Sequence, residues 1–151
     1  IFTTAPTRKA QERAKRANEG EQYRHTYEQP GTWSQKYNLV WDKLLDFGIF
    51  PDEVAQKEIQ YYLTKQNKYG LPLDNRETYT KTDWIVWTAT LADDKATFEK
   101  FIDPVHLFMH ETEDRIPMSD WVFTDKPYHR GFRARSVVGG YFIKMLEEKF
   151  K

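Results

Sequence analysis

The sequence contains no cysteine, which excludes disulfide frameworks, thiolate metal sites and cysteine nucleophiles. No apolar run approaches the roughly 20 residues of a membrane-spanning helix, and no basic-then-apolar leader opens the chain. Proline and glycine are sparse, at 7 each in 151 residues, and they cluster between periodic segments. A charge imbalance is missing too: 23 Lys+Arg face 23 Asp+Glu. That balance argues against a global electrostatic grip on nucleic acid or an anionic membrane. No Gly-rich phosphate loop is present, and the serines lack the context of a nucleophile elbow. Of His25, His106, His110 and His129, only His106 and His110 stand at a suggestive spacing, and a bare i, i+4 pair is weak grounds for zinc. The sequence therefore points to no cofactor, no metal, no nucleic acid and no membrane.

Aromatic side chains are abundant: 16% of the residues, with 5 Trp, 9 Tyr and 10 Phe. With 39% hydrophobic and 30% charged residues, the composition is that of one folded soluble domain with a single core. Such a chain either packs wide helices or lines an aromatic cleft. It begins at Ile1 rather than methionine and reads as a piece of a larger polypeptide.

Residues 7–28 are polar and helix-prone with almost no large apolar face, so residues 1–30 are expected to be a solvated helical lead-in. From Thr32, three residues before Gln35, a capping spacing opens a stripe of Trp33, Tyr37, Val40, Trp41, Leu44 and Leu45, which predicts a helix ending at Gly48. Pro51, Asp52 and Glu53 start a second helix to about Lys65. Trp84, Trp87, Thr88 and Leu91 predict a third. Asp93-Asp94 then caps a long helix through Phe98, Phe101, Val105 and Phe108, with a kink or break expected near Ile102-Asp103 because of Pro104. Ser136 opens the last helix, whose Gly139-Gly140 suggest close approach of a neighbour. No strand is convincing. The two long connections, 67–80 and 113–135, alternate with short links, as in hairpins whose long loops gather at one end to build a site.

Three clusters could carry chemistry. In the first, Asn38 and Asp42 share a helix face beside Trp33, which makes Asp42 a candidate buried carboxylate or, more plainly, a surface residue next to core tryptophans. In the second, Lys81 and Asp83 flank Thr82 before Trp84. At a helix N-terminus Asp83 would be held in its charged form, suited to a general base or an anchor rather than an acid, or it is simply a cap. In the third, Asp120-Trp121 precedes Arg133 and Arg135, whose guanidinium forks could grip a substrate carboxylate or brace Asp120, the plainer alternative being a structural Arg–Asp pair. Carboxylates alone can divide acid and base roles in amide or glycoside hydrolysis.

The strings Trp33–Asp42, Asn67–Asp74, Tyr79–Trp84, Leu91–Asp94, Pro117–Trp121 and Ala134–Gly140 together resemble the C-terminal region of the glutaminase A type family, large secreted glutaminases of fungi with bacterial relatives. The resemblance covers roughly residues 30–147. It implies an all-α, six-hairpin α/α toroid and hydrolysis of the glutamine side-chain amide to glutamate and ammonia. It also implies a secreted or periplasmic parent. A complete twelve-helix ring takes about 350 residues, so residues 1–151 are expected to form a single domain. That domain would be about half a ring of antiparallel hairpins (31–151) after the lead-in, inactive alone. Its partners would be the remaining domains of the parent, or a second copy docked on exposed hairpin flanks. The expected site comprises Asp83, Asp120 and Asp42 as acid, base or anchor. Arg133, Arg135, Asn38 and Lys81 would bind a glutamine-like or saccharide substrate between Trp33, Trp84 and Trp121. Two other readings remain open: a six-hairpin glycoside hydrolase, and a non-catalytic carbohydrate-binding or scaffold domain.

Overall fold

In the computed structural model, which describes residues 5–150, the short helix α4 (Thr82–Ala89) is the hub. Six of its eight residues are buried, and it touches elements from both ends of the chain. In chain order the elements are α1 (Ala5–Ala17), α2 (Leu39–Leu44), α3 (Asp52–Leu63), β1 (Tyr79–Lys81), α4, α5 (Lys95–Glu111) and β2 (Trp121–Phe123). A 3-10 helix (Ser136–Phe142) and α6 (Ile143–Phe150) complete the fold. The chain is mostly helical with one small sheet. None of its helices is long and apolar enough to cross a membrane among the described residues. Residues 1–4 of the expected lead-in, and residue 151, lie outside the described residues.

The main core joins Val40 and Leu44 of α2, Ile59 and Tyr62 of α3, Ile85 of α4 and Phe101 of α5. Burying side chains of this size contributes about 1.5–3 kcal/mol each. A smaller cluster of Tyr69, Phe108 and Val122 ties the first long connection to α5 and β2. The polar lead-in docks rather than standing in solvent. Ala10 and Ala17 are buried, and Ala14 packs with Ala17, Tyr23 and Val54. Alanines at i, i+4 and i+7 form a narrow apolar stripe that a search for large side chains passes over.

Several expected boundaries shift. The helix predicted from Trp33 begins only at Leu39. Gln35, instead of completing a capping box, is buried: its amide donates to the carbonyls of Leu71 and Pro72 and to Thr80, while its own carbonyl accepts from Thr88. The segment from Ser136 is a 3-10 helix before the α-helix proper. Trp84 and Trp87, expected on the buried face of α4, are only half-buried, and Ile85, Val86 and Ala89 face the core. Asp94 does cap α5, accepting from Thr97 N–H at 2.8 Å.

Pro104 does not break α5, which runs unbroken from Lys95 to Glu111. Proline has no N–H to offer the Lys100 carbonyl four residues back. Gln66 Nε2 donates to that carbonyl instead, at 2.9 Å.

The two strands, unforeseen in the sequence, are each three residues long, too short to display a period-two pattern. They pair antiparallel in the register Tyr79↔Phe123, Thr80↔Val122 and Lys81↔Trp121. The two long connections are thereby hydrogen-bonded to each other.

Candidate functional site

The β1–β2 ladder delivers residues 81–83 to residue 120. Thr82 donates twice to the Asp120 carbonyl, from its N–H at 2.7 Å and its hydroxyl at 3.2 Å. These bonds fix the Asp120 backbone against the start of α4. The Asp120 side chain is 2% exposed. Its Oδ2 accepts from Lys81 Nζ at 2.8 Å and from Arg135 Nη1 at 3.3 Å. Its Oδ1 has no hydrogen-bond partner among the described residues.

Asp83, 3% exposed, also keeps its Oδ1 without a hydrogen-bond partner. Burial, and next the charge of Asp120, push its carboxyl up to about 6. The backbone amides of Asp83 and Trp84, and the charge of Lys81, pull in the opposite direction and lose. The expectation of a dipole-stabilised, firmly charged Asp83 is thus reversed, because desolvation outweighs the partial charges of a helix N-terminus. A carboxyl poised near 6 can both take and return a proton close to neutrality.

Tyr141 roofs this pair. Its hydroxyl is hydrogen-bonded to Thr82 Oγ1, and burial together with the two carboxylates raises it to about 12. Gly140 lies between Trp87 and Asp83: a methyl group there would sit 2.8 Å from Trp87 Nε1 and 3.1 Å from Asp83 Cβ. Trp87 Nε1 donates to the Gly140 carbonyl at 3.1 Å. The close approach expected at Gly139-Gly140 is therefore made at Gly140; Gly139 faces open space. Trp121 flanks the cations, with Lys81 Nζ 4.5 Å from its ring centroid and Phe132 stacked at 5.6 Å. Gly131, at φ +64, leaves room for that ring, since a Cβ would fall 2.3 Å from it.

The structure thus brings together Lys81, Asp83, Asp120, Trp121 and Arg135. Trp84 stands next to them, stacked on Tyr37 at 4.1 Å. Other expected site residues are placed differently. Asp42 is engaged in a turn, its two oxygens accepting from Ile49 N–H and Phe50 N–H at 2.9 Å. Trp33 is a core residue against Tyr61 and Tyr62. Arg133 is exposed, and its charge acts on Asp114. Asn38 precedes α2 and makes no side-chain cap.

Asn38 and Asp42 instead line a cavity of about 670 Å³ whose walls include Tyr23, Tyr27, Tyr37 and Trp41. Neither Asp83 nor Asp120 lines it. No group of three or more His, Cys, Asp or Glu is placed to hold a metal ion among the described residues. The sequence reading missed Thr82, Tyr141 and Glu58. Glu58 is fully buried, accepting from Tyr23 N–H at 2.6 Å and lying 3.2 Å from Lys36 Nζ. Only its place one residue before core Ile59 hinted at this burial.

The family model described as the glutaminase A six helical-hairpin domain matches residues 2–145. The protein named glutaminase A from Aspergillus oryzae is 33% identical over 113 residues, covering 73% of this chain and 16% of that relative. A protein named probable glutaminase from Arthroderma benhamiae is 27% identical over 163 aligned positions, covering 88% of this chain and 19% of that relative. The chain spans less than a fifth of the length of either relative. No solved structure matches it.

Proposed function

Because the chain belongs to the glutaminase A six helical-hairpin family, we propose that it is one arc of an α/α toroid in a glutaminase-like hydrolase that converts glutamine to glutamate and ammonia. The observation that carries the reading is the buried pair Asp83 and Asp120, each with an oxygen lacking a hydrogen-bond partner among the described residues, assembled by the two long connections.

In the proposed reaction, ionised Asp83 takes a proton from water as the water oxygen bonds to the amide carbon. The same carboxyl then gives that proton to the leaving nitrogen as the C–N bond breaks, releasing ammonia. Asp120 lifts the affinity of Asp83 for the proton and offers an anionic anchor to the substrate ammonium. Arg135 stands beside it for the substrate carboxylate, a role in which bidentate guanidinium geometry is favourable. Access requires the 3-10 helix over Asp83 to shift, which would break the Trp87–Gly140 and Tyr141–Thr82 hydrogen bonds.

The apolar face of Phe142, Met145, Leu146 and Phe150 is exposed, and the remaining hairpins of the parent are its proposed cover, a second copy being the alternative. Sedimentation of the isolated chain against the parent separates the two: a monomeric chain at high concentration removes the homodimer. The reaction is tested on the full-length parent with glutamine. Asp83→Asn and Asp120→Asn are each expected to lose at least a hundredfold in kcat/KM, and unchanged turnover removes them from the chemistry.

A second reading is favoured by the aromatic cavity around Tyr23, Tyr27, Tyr37 and Trp41, whose flat faces suit sugar rings: a glycoside hydrolase or a carbohydrate-binding domain. Release of reducing sugar rather than ammonia by the parent supports the first. Heat of oligosaccharide binding without turnover supports the second.

A further inference from the structure

On the long helix α5, His106 and His110 are both exposed and four residues apart. Their rings meet edge to face, with centroids 4.4 Å apart at an interplanar angle of 67°. The two Nε2 atoms are 3.1 Å apart. With no ion between them, one neutral ring donates its N–H to the other. With neither nitrogen carrying a proton, the same two atoms stand close enough to share one metal ion. Two metal–nitrogen bonds of about 2.05 Å spanning that 3.1 Å gap enclose roughly 100°. That lies between the right angle of square or octahedral coordination and the wider tetrahedral angle, so the nitrogen spacing suits chelation once the rings turn their lone pairs toward the ion.

We propose that His106 and His110 form a chelating site for a late first-row divalent ion, Zn²⁺, Ni²⁺ or Cu²⁺, with water completing the coordination shell. The scaffold favours it. Phe101, Val105 and Phe108 bury the opposite side of the helix in the core, so the turn that carries the pair is held rigid. Asp103, one turn earlier, lines the same open concavity as both histidines and supplies an anionic wall. Of the two lysines there, Lys68 has its charge engaged by Glu111 at 2.5 Å, which leaves Lys100 as the opposing cation. Imidazole nitrogen selects Zn²⁺, Ni²⁺ and Cu²⁺ over the oxygen-seeking Mg²⁺ and Ca²⁺. A site with two protein ligands keeps open positions, so it is suited to hold an exogenous carboxylate or phosphate on the ion as well.

The test is calorimetric titration of Ni²⁺ and Zn²⁺ into the EDTA-stripped chain at about pH 7.5, where metal competes well with protons for imidazole. The expected result is one ion per chain with micromolar affinity. Binding weakens by tenfold or more in both His106→Ala and His110→Ala, and His25→Gln leaves it unchanged. Absence of binding in the unaltered chain, or a loss below tenfold in either α5 variant, overturns the proposal. Both side chains are exposed, so far-UV circular dichroism is expected to show the two variants folded. Ammonia release plays no part in this readout, so the outcome is independent of the glutaminase reading.

Discussion

Lys81 and Asp120 are 39 residues apart in sequence, yet Lys81 Nζ donates to Asp120 Oδ2 at 2.8 Å. The contact follows from register: Lys81 pairs with Trp121 across the sheet, and Asp120 is the residue just before it. Two three-residue strands thus place a cation, an anion and the second carboxylate of Asp83 in one buried volume. Lys81 and Arg135 both bind the same oxygen of Asp120. The remaining negative field bears on Asp83, which answers by holding its proton more tightly.

That strain sets a prediction on stability against pH. Asp83 is raised from 3.8 to about 6, so the native state binds the proton more tightly than the unfolded chain does. Stability is greatest below about pH 4 for this group alone and falls as pH rises through 6. Above that window the penalty is on the order of 3 kcal/mol. Asp83→Asn removes the charge, so thermal melts at neutral pH are expected to show a gain of several degrees. The gain should vanish near pH 4. A variant less stable than the parent residue at pH 7 would contradict the strain.

The two adjacent glycines of the 3-10 helix should respond oppositely. Gly140→Ala drives a methyl group to 2.8 Å from Trp87 Nε1 and against Asp83 Cβ, and is expected to destabilise by about 1–3 kcal/mol. Gly139→Ala meets nothing within 4 Å and should be neutral or stabilising by up to about 1 kcal/mol. Urea denaturation of the two variants in parallel checks the contrast.

The outlines of the fold were legible where apolar period was strong. Phe101, Val105 and Phe108 placed α5, and Pro51-Asp52-Glu53 placed the start of α3. Trp33 and Tyr37 misled because large aromatics at helical spacing need not lie on a helix: Trp33 is a core residue of a segment held by the buried amide of Gln35, and Tyr37 sits half-buried in the turn before α2, stacked on Trp84. The site was half legible: Asp83, Asp120, Lys81 and Arg135 came from local composition. Their meeting depends on strand register across 39 residues, which no local pattern encodes. Tyr141 and Thr82 gave no sign, since their importance arises only from long-range contacts, Thr82 with the Asp120 carbonyl and Tyr141 with Thr82.

Buried Glu58 is expected to be among the more sensitive positions outside the site. It holds Tyr23 N–H and the Lys36 ammonium, while burial pulls the pKa of Lys36 down and Glu58 resists that pull. Glu58→Ala leaves the Lys36 charge without its counter-ion, though its ammonium still donates to the Tyr23 carbonyl, and leaves the Tyr23 N–H unpaired, at about 3 kcal/mol. Replacing both partners, Glu58→Leu with Lys36→Met, should recover the part due to the unpaired charge but not the part due to the Tyr23 N–H and carbonyl, which keep no partner there. A double variant as unstable as Glu58→Ala would show that the apolar pair fails to pack.

Gln66 and Pro104 should be coupled through the Lys100 carbonyl. Gln66→Ala removes the donor at that carbonyl and is expected to lower stability by about 1 kcal/mol. In a Pro104→Ala background the helix recovers its own N–H for the carbonyl, and the same Gln66→Ala change should matter less than half as much. Equal effects in both backgrounds would mean that the side chain contributes only surface packing.

Lys81→Met gives the most direct reading of the proposed chemistry. As the proton acceptor, Asp83 must be ionised, so kcat/KM of the parent with glutamine should rise with pH through an acid limb near 6. Lys81 lowers the proton affinity of Asp83 through its charge. Its removal therefore lets that affinity rise, and the limb should move to higher pH. Arg135→Gln loosens Asp120 from the other side and should move the limb in the same direction while also raising KM. A change in kcat with an unmoved limb would mean that Lys81 acts on the substrate rather than on the carboxylates. An acid limb that survives unaltered in Asp83→Asn would assign the titration to another group.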